Sequence, residues 1–132
     1  MLSLHAEYRN LVRNLLLIYL VVWTAGILVF WVFCQAGDAA GFSLVYLWML
    51  LPAASFVLSL KAGMRGCPGT AGWIMAACFG VLYMLGEYFT FSMANNLAFH
   101  KVNLPHVSMI LAGAAVSWAG MGIGCLICAG KK

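Results

Sequence analysis

Polar positions in this chain are bunched, and the apolar stretches between them are long. Leu15 to Phe33, Phe42 to Leu60, Trp73 to Ala94 and Val107 to Ala129 are each close to the roughly 20 residues that cross a bilayer as a helix. Between them lie the turn Cys34 to Gly41, the glycine-rich loop Lys61 to Thr70 and the polar connection Asn95 to Pro105. The pattern predicts an all-α membrane protein, a single integral domain over 1–132 with four transmembrane helices in an antiparallel bundle, consecutive spans side by side. The first run exceeds the apolar core of a signal peptide and no small-x-small cleavage site follows it, so it is expected to be retained. Pro52 falls mid-span, where it should kink the helix and leave a carbonyl for Ser55 or a neighbour to satisfy.

Two stripes of small residues set the inward faces. Gly113, Ser117, Gly120 and Gly124 recur at spacings of four, three and four, and Gly120 to Gly124 is a GxxxG pair. Such faces let helix backbones approach closely in lipid, so they are expected to pack on other helices. In the third span Ala76, Gly80, Tyr83, Glu87 and Ala94 share a second stripe, with Thr90 and Phe91 beside it.

Composition agrees with this pattern. The chain has 132 residues, 65% of them hydrophobic and 8% charged, with a mean hydropathy of +1.00. A water-facing shell usually needs about 25% charge. Charge adds direction: Arg9, Arg13, Lys61, Arg65, Lys131 and Lys132 fall on one side of the four runs and Lys101 alone on the other. The positive-inside rule then puts both termini in the cytoplasm, in a bacterial-type cytoplasmic membrane, and argues against dual topology. The net charge of +4 comes from bases at the ends of apolar runs. They read as topology signals and contacts to anionic lipid, with no nucleic-acid partner. Cys34, Cys67, Cys78, Cys125 and Cys128 are spread through such a chain, so mostly free thiols are expected rather than a disulfide framework.

One residue stands against the pattern. Glu87 lies inside the third apolar run, where an acidic side chain costs roughly 2.5–3.5 kcal/mol on insertion scales. If the spans are aligned by their centres, Glu87 lies slightly to the outer side of the midplane. Tyr46, Trp48, Ser117, Trp118 and Thr24 or Gly26 then share its depth, and no Lys or Arg does. Desolvation favours a neutral carboxyl and no base opposes it, so Glu87 is expected to be protonated until a ligand or partner arrives. Glu87, Tyr83, Trp48, Trp118 and Ser117 are the candidate ligand- and proton-binding residues, with Ser117 expected to hydrogen-bond the carboxyl.

Other chemistry is thin. Cys125 and Cys128 form a CxxC, but with apolar residues between them and no second pair nearby they read as packing residues. The eight methionines show no Met-x-x-Met grouping, and no metal or cofactor is expected. His100 and His106, beside Lys101, read as loop residues. With no second acid, phosphate loop or nucleophile elbow, the chain is not expected to be an enzyme. Thr90-Phe91-Ser92 resembles three residues of the signature of small four-span fluoride channels, but their arginine motif and second-span asparagine have no counterpart here. A membrane glutamate among Trp and Tyr is similar in chemistry to the small multidrug-resistance exporters, which carry theirs in the first span. The functional expectation is a small proton-coupled transporter or channel subunit for a cationic or polar solute, working as a homo-oligomer or with another membrane protein. The alternative is an accessory membrane protein that binds another subunit through its small-residue faces.

Overall fold

The computed structural model describes residues 2–34, 38–66 and 69–131; Cys67 and Lys132 therefore lie outside the described residues. Regular structure among them is entirely helical. α1 is Leu2–Phe33; α2 (Ala39–Ser43) passes through a π-helical stretch, Leu44–Leu50, into α3 (Leu51–Arg65). α4 (Thr70–Glu87) passes through a second π-helical stretch, Tyr88–Ser92, into α5 (Met93–Phe99), and α6 is Val107–Ala129. These form four continuous helices, His5–Phe33, Ala40–Arg65, Thr70–Phe99 and Val107–Ala129, each long and apolar enough to cross a membrane.

The fourth helix has the bounds its sequence predicts, and the other three run longer. α1 reaches back through Glu7, Arg9 and Arg13, residues that favour helix despite their charge. The third helix passes Asn95 and Asn96 and stops at His100, whose φ of 53° is left-handed and whose N–H bonds the Asn96 carbonyl at 2.9 Å. That is the usual way a helix closes its last turn, here without glycine.

α1 lies between α3 and α4, and α6 packs between the same two from the other side. Second and third helices, expected side by side, instead face each other across the bundle and meet mainly near the π-helical stretches. The cause is glycine. A Cβ on Gly63 would overlap the Met121 carbonyl, one on Gly124 the Leu60 carbonyl, and one on Gly120 would come within 2.5 Å of the Phe56 carbonyl. Backbone contact is possible only because these side chains are absent, so α3 and α6 lie together along their length, running parallel. Ser59 and Ser117 share a 2.6 Å hydrogen bond inside this seam. On the other flank Gly80 meets the Ile110 carbonyl and Gly113 meets Tyr83, which joins α4 to α6. α1 is held by aromatic groups: Tyr19 packs at a tilt on Phe79, ring centres 4.4 Å apart, and the Trp23 indole donates to the Leu82 carbonyl at 2.7 Å. The Tyr46 hydroxyl donates to the Trp23 carbonyl at 2.7 Å, its ring seated on Gly26.

Pro52 is the second residue of α3, directly after the first π-helical stretch. The wide turn before it absorbs the missing amide, with Leu51 N–H reaching the Tyr46 carbonyl five residues back. Ser55 does not cap the carbonyl that the proline frees; its hydroxyl donates to Pro52's own carbonyl at 2.9 Å.

Candidate functional site

Glu87 closes α4, and its position depends on the π-helical stretch that follows. In an α-helix residues five apart point about 140° away from each other. The π register closes i to i+5, so the residue five on comes to lie over the first. Ser92 is that residue: its hydroxyl donates to Glu87 Oε1 at 2.7 Å, and both side chains are buried. Thr90, fully buried, returns its hydroxyl to the Gly86 carbonyl at 2.6 Å, satisfying backbone that the register change loosens. The Phe89 carbonyl takes the Trp31 indole N–H at 2.9 Å. The acid, the threonine and the serine thus form one local device.

The other carboxyl oxygen, Oε2, is buried and has no hydrogen-bond partner among the described residues. Glu87 is 8% exposed, so an unmatched oxygen there is costly, and such a group marks a place where a proton or ligand is expected. Glu87 lines a recess of about 350 Å3 together with Ser43, Leu47, Trp48, Phe91 and Met109. Two of these, Leu47 and Trp48, come from the first π-helical stretch, so both irregular segments of the molecule face this recess. Of the lining residues, Trp48 and Phe91 are exposed. A second recess of about 250 Å3, with Tyr83, Pro52, Ser55 and Gly113, lies on the other side of Trp48.

The predicted site residues separate into two groups. Glu87, Tyr83 and Trp48 are brought together around these two recesses. Ser117 and Trp118 are not. The Ser117 hydroxyl is spent on Ser59, and Trp118 packs edge-on against Trp73 at 5.3 Å. Glu87 is level with Met109, eight residues from Ser117 and therefore about 12 Å away along α6. Alignment by span centres fails because the third and fourth helices are offset: Gly80 packs against Ile110 and Gly113 near the start of α6, so Glu87, two turns further on, sits nearer that end of the bundle than the middle. At that end residues 38 and 100–106 connect the helices. Ser92, Ser43, Phe91 and Met109 join the site without having been expected there. Hydroxyls three and five residues after a membrane acid were the available signal for Thr90 and Ser92.

Gly113, Ser117, Gly120, Gly124, Ala76 and Gly80 are all buried. Cys34, Cys78 and Cys128 are free thiols. Among the described residues no three His, Cys, Asp or Glu side chains gather as a metal site. No family model matches the chain, and neither curated proteins nor solved structures provide a match.

Proposed function

We propose that this protein is a small transporter or channel subunit in which Glu87 alternates between a proton and a cationic or polar solute. The observation that carries the reading is the carboxyl itself: buried, held through Oε1 by Ser92, unmatched at Oε2 among the described residues, and belonging to a residue that lines a recess. A neutral carboxyl tolerates that surrounding, and a carboxylate there needs a cation. Exchange of one for the other couples proton release to solute entry. Trp48 and Phe91 supply aromatic faces that favour a cation near the acid. The exposure of Trp48 and Phe91 beside the acid supports a pathway completed by a second copy or another membrane protein. The distribution of bases supports both termini in the cytoplasm of a bacterial-type cell membrane.

The accessory reading would need a different surface from the one its glycines suggest. Gly80, Gly113, Gly120 and Gly124 are all consumed within the chain.

The direct test is wild-type protein in vesicles carrying an internal pH dye, challenged with guanidinium, tetramethylammonium, sodium and a neutral polyol in turn. Proton movement opposite to at least one solute, absent from protein-free vesicles, is the expected result. Vesicles whose internal pH ignores every solute would end the coupling proposal.

The two tryptophans give a sharper comparison. Trp48→Ala should weaken binding of a coupled cation about tenfold through loss of a cation–π face. Trp118→Ala should leave affinity unchanged and lower stability by about 1 kcal/mol through loss of the Trp73 contact. Equal losses of affinity at both positions would move the site away from Glu87.

A further inference from the structure

The end of the bundle remote from the Glu87 recess carries a second feature, a crevice between α1 and α4. Its volume is about 540 Å3, and Leu16, Leu17 and Leu20 of α1 face Ala77, Cys78 and Val81 of α4 across it. The two helices touch behind it, through Tyr19 on Phe79 and the Trp23 indole on the Leu82 carbonyl. Leu17, Leu20, Ala77 and Val81 along it are exposed, so the crevice is a slot on the side of the bundle.

Arg13 lines one end of this slot although the wall is wholly apolar, so it contributes its aliphatic stem and leaves the guanidinium outside. Arg9 is one turn earlier in α1, and Lys61, Arg65 and Lys131 stand at the same end of the bundle, all exposed. Glu7 is the only acid there, since Asp38 and Glu87 lie toward the other end. The slot therefore has an apolar barrel and a cationic mouth.

We propose that it is a binding site for an anionic phospholipid, one acyl chain in the slot and the phosphate on Arg13. Both halves of the site match that ligand: branched and small apolar side chains along the chain, and a guanidinium whose fork fits phosphate oxygens. A helix from another subunit fits less well. Another copy of the chain would bring Arg9, Arg13, Lys61 and Arg65 to this end with Glu7 as its one acid there, so it offers Arg13 no match for its charge. This inference rests on the chain lying in a bilayer and is independent of what Glu87 does.

The test is retention of lipid by the purified full-length protein in detergent, read as bound lipid by native mass spectrometry. The probes are dioleoyl phosphatidylglycerol and dioleoyl phosphatidylcholine, which share their acyl chains. Wild type should keep phosphatidylglycerol at least fivefold better. Arg13→Gln should lower phosphatidylglycerol about fivefold and leave phosphatidylcholine alone, the factor that one basic residue contributes at an anionic headgroup. Ala77→Phe, an exposed position that the larger ring would use to fill the slot, should lower both lipids. Lys61→Gln removes the same charge at the same end but away from the slot, and should change neither. Equal retention of the two lipids by wild type would overturn the site. So would a loss in Lys61→Gln matching that in Arg13→Gln, or full retention in Ala77→Phe. Cross-linking of two copies of the chain through Leu17→Cys, absent from the wild type, would assign the slot to a second subunit instead.

Discussion

Glu87→Gln should abolish the pH dependence of solute movement while the protein folds at least as well as the wild type. Gln has nearly the shape of Glu, and its side-chain oxygen can still accept the Ser92 hydroxyl that Oε1 accepts at 2.7 Å. What it lacks is a proton to exchange and a negative charge to offer. The flux of a coupled cation should therefore fall by at least a hundredfold, and whatever remains should be flat between pH 5.5 and 8.5. Stability should be unchanged or slightly higher, because an ionisable group is no longer enclosed. Ser92→Ala separates chemistry from positioning. Losing that hydroxyl leaves the acid present but unheld, at a cost of about 1 kcal/mol for one hydrogen bond. Flux should drop only several-fold, with its pH profile displaced rather than erased. If Glu87→Gln carries solute like wild type with its pH profile intact, the carboxyl is a structural group and the transport reading fails.

The distinction between what was legible in the sequence and what was not follows the range of the interactions. Four helices follow from run length alone, since a backbone in lipid must satisfy its own hydrogen bonds. The inward stripes also follow, because Gly113, Ser117, Gly120 and Gly124 need only a 3.6-residue period to share a face. Burial of Glu87 follows from its place on such a stripe. The partners of those faces do not. Gly63, whose missing side chain admits Met121 and Gly124, sits in a loop-like Lys61-Ala-Gly-Met-Arg segment with no stripe to reveal it. The π-helical stretches were also hidden. Neither Leu44–Leu50 nor Tyr88–Ser92 contains proline or glycine, and each changes the facing of everything beyond it. Residue spacing read at 3.6 per turn cannot place Ser92 on Glu87. Depth was the third loss. Span centres give depth only when helices are in register, and the glycine contact of Gly80 with Ile110 and Gly113 offsets the third helix from the fourth, which puts Glu87 toward Met109 rather than Ser117.

The seam between α3 and α6 predicts the largest change in stability. Gly124→Ala should destabilise the protein by about 3 kcal/mol, and Gly124→Val by more, measured by thermal or steric-trap unfolding in detergent. The new methyl would meet the Leu60 carbonyl, with the Gly63 Cα and the Met64 amide nitrogen each 2.9 Å away, and all three are backbone that cannot rotate aside. Overpacking against side chains costs about 1–3 kcal/mol. Against backbone on one side and a helix on the other, relief requires the two helices to part, which also loosens the Ser59–Ser117 bond. Gly122 is the internal control. It lies two residues away on the exposed face, with nothing within 4 Å of where a Cβ would stand, so Gly122→Ala should be neutral or stabilising by about 0.5–1 kcal/mol through reduced freedom in the unfolded chain. Parting α3 from α6 should also reach the site. α3 continues directly from the π-helical stretch that supplies Leu47 and Trp48, and α6 begins beside Met109, so the recess around Glu87 is bounded by both halves of the seam. Gly124→Ala should therefore lower solute affinity as well as stability, although Gly124 lies about 22 Å from the level of Met109 along α6. Equal stability of Gly122→Ala and Gly124→Ala would mean that α3 and α6 do not meet through glycine.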